Sequence, residues 1–382
     1  METRRSDGGF SLVELMVAMT VTLIVSAAIY GLLTSGSNAF RREPELAERQ
    51  QNIRAAMDAI SRDVFNAGAA LPRYAQVFSR ADPTGGGCAG ATGVNGCGVM
   101  GTLGAAAAGS RAPGDSGDPS ENTDVLEIVS AEEQCPAQSV CSKDPTAGNS
   151  GQFVTRQQLP ACFTLPGLAL LTDNTSFTVQ PALPWTGATL GKCPGPGGNE
   201  AVNGNVQLGA YLQPWQASPA IDAPADNPPP ATPAVFLYRA HVVRYRVAAS
   251  GDPSDAAPAL WRSQSGRYAR DGSGAVPEPG ETGFPAAGSP WEMVARGIED
   301  LQIEYMGGDD VWRNQAPISV ANDWTSLVRQ VRITLSARAL AENLQGQTTA
   351  GGAAPNAVRG QLTSVVAPRA AFNELQMGGK IQ

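Results

Sequence analysis

Histidine occurs once in these 382 residues, no two cysteines stand in a C-x-x-C pair, and lysine with arginine (27) is outnumbered by aspartate with glutamate (35). Each shortage removes a class of chemistry. Without paired thiolates or several imidazoles a zinc knuckle cannot be assembled. A net charge of -8 and a pI near 4.9, with no basic stripe, leave nothing to track a phosphate backbone, so nucleic acid is not expected as a partner. No G-x-x-x-x-G-K-[ST] segment is present to cradle phosphates. Glycine (43) and proline (29) make up roughly a fifth of the chain, above ordinary usage but below a wholly disordered composition. A folded protein with long loops is the expectation.

What the chain does have is one long apolar run. Phe10 to Leu33, FSLVELMVAMTVTLIVSAAIYGLL, is 24 residues with Glu14 as its single ionisable side chain. As a helix it would be roughly 36 Å long, enough to span a bilayer. Arg4 and Arg5 precede it and Arg41 and Arg42 follow, so positive charge does not choose an orientation. The cysteines choose it. Cys88, Cys97, Cys135, Cys141, Cys162 and Cys193 are even in number and all follow the run, and an oxidising compartment accounts for them. Six cysteines allow about fifteen pairings; nearest-neighbour bridges, Cys88–Cys97, Cys135–Cys141 and Cys162–Cys193, are the expectation.

The segment Gly8-Gly9-Phe10-Ser11-Leu12-Val13-Glu14-Leu15 resembles the processing signal of type IV pilins and type II secretion pseudopilins, G-F-x-x-x-E followed at once by an apolar helix. That resemblance implies a prepilin peptidase cutting between Gly9 and Phe10 and methylating the new N-terminus at Phe10. The apolar helix then stays in the mature protein. A carboxylate this far into a membrane helix costs ~2.5 kcal/mol or more unless neutralised or paired. The resemblance supplies a partner for Glu14 in the α-amino group of a neighbouring subunit; a glutamate that snorkels to the headgroups is the plainer alternative.

After the apolar span, Glu43-Pro44 is expected to kink or restart the helix. Within Glu45 to Ala67, Ile53, Met57, Ile60 and Val64 recur at steps of four, three and four, which builds one packing face, and Gly68 offers a stop. Ser61-Arg62-Asp63-Val64-Phe65-Asn66-Ala67-Gly68 resembles the R-D-x-x-x-A-G ending of this helix in PilW-type minor pilins. Asp82 to Ser120, rich in Gly and Ala, reads as an extended loop region. Strands are expected at Asp124 to Ser130, Asn205 to Leu212, Val235 to Ala248, Leu301 to Met306, Leu327 to Ala337 and Leu362 to Val366. The proline-rich loops Asp222 to Pro233 and Ala275 to Pro290 are expected to be exposed. Trp291 to Met306 and Val328 to Arg338 resemble the closing β-meander of PilW-like and GspJ-like minor pilins.

Together these readings give an α+β pilin fold, a long N-terminal helix packed on an antiparallel β-sheet head. Residues 1–9 are the leader, 10–34 the membrane and filament-core helix, 45–68 its amphipathic second half, and 69–382 the disulfide-bonded head. The resemblance implies a minor pilin near the filament tip that helps initiate type IV pilus assembly. Its partners are other minor and major pilins, the prepilin peptidase, an inner-membrane assembly platform and a tip adhesin. The precursor sits in the inner membrane with its head in the periplasm. A GspJ-like pseudopilin of type II secretion is the nearest alternative, and a non-polymerising membrane-anchored binding domain the alternative from another class. No enzyme is expected: Gly114-Asp115-Ser116-Gly117-Asp118 resembles a trypsin-like nucleophile segment, but Asp118 replaces a required glycine and His241 lies downstream in an apolar strand pattern, as a half-buried strand residue. No cofactor is expected either. Asp309 and Asp310, in a hairpin turn, are the metal candidates, for Ca²⁺, if loop carbonyls join them.

Overall fold

The long helix α1 (Leu12–Phe65) begins at Ser11, whose side chain caps it, and ends at Asn66, whose backbone N–H returns to the carbonyls of Arg62 and Val64. It does not restart at Pro44. That proline lies inside one helix of 54 residues, about 81 Å long. The computed structural model describes residues 11–71, 123–132, 134–135, 138–142, 152–155, 162, 167–172, 177–184, 192–195, 198–201, 204–208, 235–249, 257–265, 276–281, 283–284, 288–314, 328–342 and 357–369.

The strands follow in chain order: β1 (Leu126–Ala131), β2 (Gln138–Ser142), β3 (Gln152–Thr155), β4 (Gly167–Thr172), β5 (Phe177–Pro184), β6 (Lys192–Gly195), β7 (Gly198–Ala201) and β8 (Gly204–Leu208). After them come β9 (Val235–Ala249), β10 (Pro258–Ser263), β11 (Trp291–Arg296), β12 (Ile298–Met306), β13 (Trp312–Arg313), β14 (Gln330–Glu342) and β15 (Ala357–Val366). The larger sheet runs β11-β10-β9-β2-β3-β8-β5-β4, with β1 added on β9, and its pairings return to β9 through β4. The smaller sheet, β13-β12-β14-β15, is an antiparallel meander. β6 and β7 form a separate pair.

A single glycine joins the two sheets. Gly297 sits between β11 and β12 at φ +72°, its N–H donates to Pro258 O at 2.7 Å, and its carbonyl accepts from the Arg338 N–H at 2.8 Å. A Cβ there would lie 2.7 Å from Arg338 O, closer than real Cβ atoms come, so both the backbone angle and the close approach require glycine.

The core lies between the second half of α1 and one face of these sheets. Ile53, Met57, Ile60 and Val64 are all buried, as the helical spacing predicts, against Leu126, Ile128, Tyr245, Leu260, Ile298, Leu301, Ile303, Val331, Ile333 and Leu335. The alternation on β12 and β14 points these residues inward, while Gln302, Glu304, Arg332 and Thr334 remain part-exposed.

One expected loop behaves differently. Of Ala275 to Pro290, the described residues 276–281, 283–284 and 288–290 include a packed strap rather than a wholly exposed loop. Arg244 and Arg246 project from one face of β9, two residues apart, and the carboxylate of Glu278, 1% exposed, takes a hydrogen bond from each at 3.2 and 3.0 Å. Phe284 completes the strap by meeting the Trp261 ring edge-on at 5.1 Å.

Candidate functional site

Among the described residues, nothing packs on the apolar first half of α1. It is long and apolar enough to cross a membrane, and none of its most apolar stretch is buried. Leu12, Leu23, Tyr30 and Leu32 are among many large side chains left exposed. Several of its polar groups are closed within the helix. The hydroxyls of Thr20, Thr22 and Thr34 donate to carbonyls one turn back. At the tip, Ser11 and Glu14 form a reciprocal box: the Ser11 N–H donates to Glu14 Oε2 at 3.0 Å, and the Glu14 N–H donates to Ser11 Oγ at 3.2 Å. Glu14 therefore lies at the front end of an unpartnered greasy rod. Gly9 and Phe10 lie outside the described residues.

The other end of the helix is fastened to the head. Asp63 Oδ2 accepts from the Tyr245 hydroxyl at 2.5 Å and from Arg262 Nε at 2.8 Å, joining α1 to β9 and β10. Burial, together with the neighbouring Asp63 carboxylate, pushes the Tyr245 hydroxyl well above its ordinary range, so it stays a donor. Burial works against the Arg262 charge, but the hydrogen bonds and charge interactions with Asp63 and Tyr245 together outweigh it and the guanidinium is held more firmly protonated. Beyond the helix the chain turns at Gly68 (φ +73°) and Ala70 (φ +57°). There the Gly68 N–H donates to Val129 O at 3.1 Å, and the Ala131 N–H donates to Ala69 O at 2.9 Å. The R-D-x-x-x-A-G pattern thus has a physical content here, an acid that reaches the sheet and a turn that lands on β1.

Beneath the strap, Arg244 is buried with Glu127 at 2.8 Å and Glu278 at 3.2 Å. Burial opposes its charge, yet the two carboxylates prevail and raise its pKa.

The remaining sequence candidates fall apart spatially. Cys135 is bonded to Cys162, with Cα atoms 5.9 Å apart. This overturns the nearest-neighbour pairings Cys135–Cys141 and Cys162–Cys193, because the fold brings together residues 27 positions apart that spacing alone does not connect. Cys141 lies on β2 and Cys193 on β6, while Cys88 and Cys97 lie outside the described residues. His241 is exposed on β9 rather than half-buried, with Glu132 3.9 Å away. Asp309 is held by a two-pronged contact to Arg313, which keeps its carboxyl down at about 2, and Asp310 by Arg329 at 2.6 Å. Each carboxylate is engaged with its own guanidinium, and among the described residues no group of three or more His, Cys, Asp or Glu is placed to hold a metal.

Residues 4–30 match the family described as the prokaryotic N-terminal methylation motif. No curated protein matches the chain. Among solved structures, the type IV-like pilin TTHA1219 from Thermus thermophilus is similar over 55% of this chain and 90% of its own, at 12% identity and a TM-score of 0.19, too low a likeness to bear on the fold. The chain therefore carries a prepilin-type methylation motif at the start of a long apolar helix, and that helix is fastened at its other end to an antiparallel β head.

Proposed function

We propose that this protein is a structural subunit of a type IV pilus, a minor pilin of PilW type. It is made as an inner-membrane precursor and cleaved between Gly9 and Phe10, and it is inserted near the filament tip, where it helps start assembly. The observation that carries this reading is the pairing of the methylation motif with a helix whose first half exposes its apolar surface along its length. In the precursor, lipid covers that surface. In a filament, the apolar halves of neighbouring subunits cover it, and small residues such as Ala18, Ser26, Ala27 and Ala28 allow close approach. Glu14, the one acid in the rod, pairs with the N-terminal amine of an adjacent subunit and sets axial register. The head, displayed outside, meets other minor pilins or an adhesin. The fit of Asp63, Ala67 and Gly68 to the helix–head joint supports the PilW-type assignment over a generic membrane anchor.

N-terminal mass spectrometry of the membrane-extracted protein tests this directly. A mature chain beginning at methylated Phe10 is the expected result, and a chain retaining residues 1–9 or trimmed elsewhere would overturn the proposal.

A further inference from the structure

Thr123 and Asp124 lead into β1 and lie along the side of β12 that β14 does not use. The Asp124 N–H donates to Leu301 O at 2.8 Å. The Thr123 hydroxyl accepts from the Leu301 N–H at 2.9 Å and lies 3.3 Å from Leu301 O. Asp124 Oδ2 accepts from the Ile303 N–H at 2.8 Å. These two residues thereby complete the hydrogen bonding of a stretch of β12, largely with side chains in place of a backbone ladder. The same segment continues into β1, which pairs with β9 along its length and receives the turn that ends α1. It therefore ties the small sheet to the large sheet and to the helix.

The carboxyl at the centre of this tie is poorly placed to carry charge. It is mostly enclosed, and no cation pairs with it among the described residues. From β12 it faces Asp300, a like charge whose Oδ1 is held by the Gln302 amide at 2.8 Å, and the buried phenol of Tyr305. The next acid on its own segment, Glu127, is engaged with Arg244. We propose that Asp124 is a protonation-controlled latch between the two sheets, closed while its carboxyl is neutral and loosened when it ionises.

Burial first, with Asp300 adding to it and the Ile303 N–H opposing, raises this carboxyl from 3.8 to about 7. An acid whose pKa is raised in the closed form binds its proton more tightly there than when opened to water. The latch is thus at full strength below about pH 4 and weakens as pH rises through about 7. Between pH 5.5 and 8.5, the ratio of the two titrations weakens closure on the order of thirty-fold. On the reading proposed above, the head works outside the buffered cytoplasm, so external pH reaches this group; the latch itself does not depend on that reading.

The test is amide hydrogen exchange on the full chain in detergent, with protection factors corrected for intrinsic exchange, following the peptide that contains Leu301 and Ile303. In the wild type, protection should fall at least ten-fold between pH 5.5 and 8.5, while β14 core amides hold. Asp124→Asn should abolish the fall, and Asp300→Asn, which removes the like charge, should shrink it. Equal protection at both pH values in the wild type, or an undiminished fall in Asp124→Asn, would refute the latch. The wild-type comparison decides the matter even where a variant fails to fold.

Discussion

Replacing Asp63 by alanine should loosen the helix from the head far more than its place near a helix end suggests. An acid in the last turn of a helix opposes the macrodipole, so its removal alone would stabilise α1 by some tenths of a kcal/mol. Against that stand the contacts it makes. The Tyr245 hydroxyl at 2.5 Å loses its acceptor, and Arg262 Nε at 2.8 Å loses its charged one and keeps only the Tyr245 oxygen at 3.1 Å, on side chains that are largely buried. Removing one partner of a buried pair costs ~3–5 kcal/mol, and the part of Arg262 that water reaches discounts this to about 2–4 kcal/mol. Tyr245→Phe keeps the ion pair and loses two hydrogen bonds, the one the hydroxyl donates to Asp63 and the one it accepts from Arg262 Nε at 3.1 Å, for about 1–2 kcal/mol, and the two substitutions together should cost less than their sum. Asp58→Ala is the control on the same helix, because the Asp58–Arg62 pair is 74% and 70% exposed. It should change stability by at most about 0.5 kcal/mol. Urea unfolding of the full chain in mild detergent, followed by tryptophan fluorescence, reads all four. A loss for Asp63→Ala no larger than for Asp58→Ala would refute the account of this joint.

Two further outcomes are expected. Non-reducing peptide mapping should recover a Cys135–Cys162 linked peptide, and replacing both cysteines by serine should cost about 3.5 kcal/mol for a separation of 27 residues, read by the same urea titration. Glu14→Ala should leave head unfolding unchanged, since among the described residues the Glu14 side chain bonds only to Ser11, while sharply reducing co-purification with other pilins; unchanged co-assembly would remove the proposed role of this carboxylate.

The parts of this molecule that are legible in its sequence are those whose cause is local. The four-three-four spacing of Ile53, Met57, Ile60 and Val64 marks a helix face, and all four residues are buried. Val331, Ile333 and Leu335 alternate with polar residues on β14 and point inward as that period requires. The methylation motif lies within one short segment and can be read directly. What stays hidden depends on distant partners. Tyr245 is 182 positions from Asp63, and Arg262 is 199 positions away, so no spacing reveals their meeting. Strands β2 to β7 are short, and several contain glycine or proline, as in Gly167 and Pro181. Their own residues argue weakly for a strand, and their pairing comes from neighbours, which for β2 and β4 include the long β9. The strap is hidden for the same reason. Its prolines signal a loop, while the two arginines that draw Glu278 inward belong to a strand more than thirty residues earlier.

The unbroken course of α1 past Pro44 sets a standoff. From Leu33, where the apolar run ends, to Arg49, whose guanidinium lies against Gly360 of β15, the helix climbs about 24 Å. The headgroup layer takes up only roughly 6 Å of that climb. A neck of several turns thus separates the apolar run from the part of the helix that meets β15, and it carries Arg42 and Glu45, both half-buried, with Glu43 and Glu48 exposed. In the filament proposed above, an adjoining subunit that stacks closely would have to slot its own head beside this charged collar, which would make the neck a spacer that fixes how far apart neighbouring heads can stand.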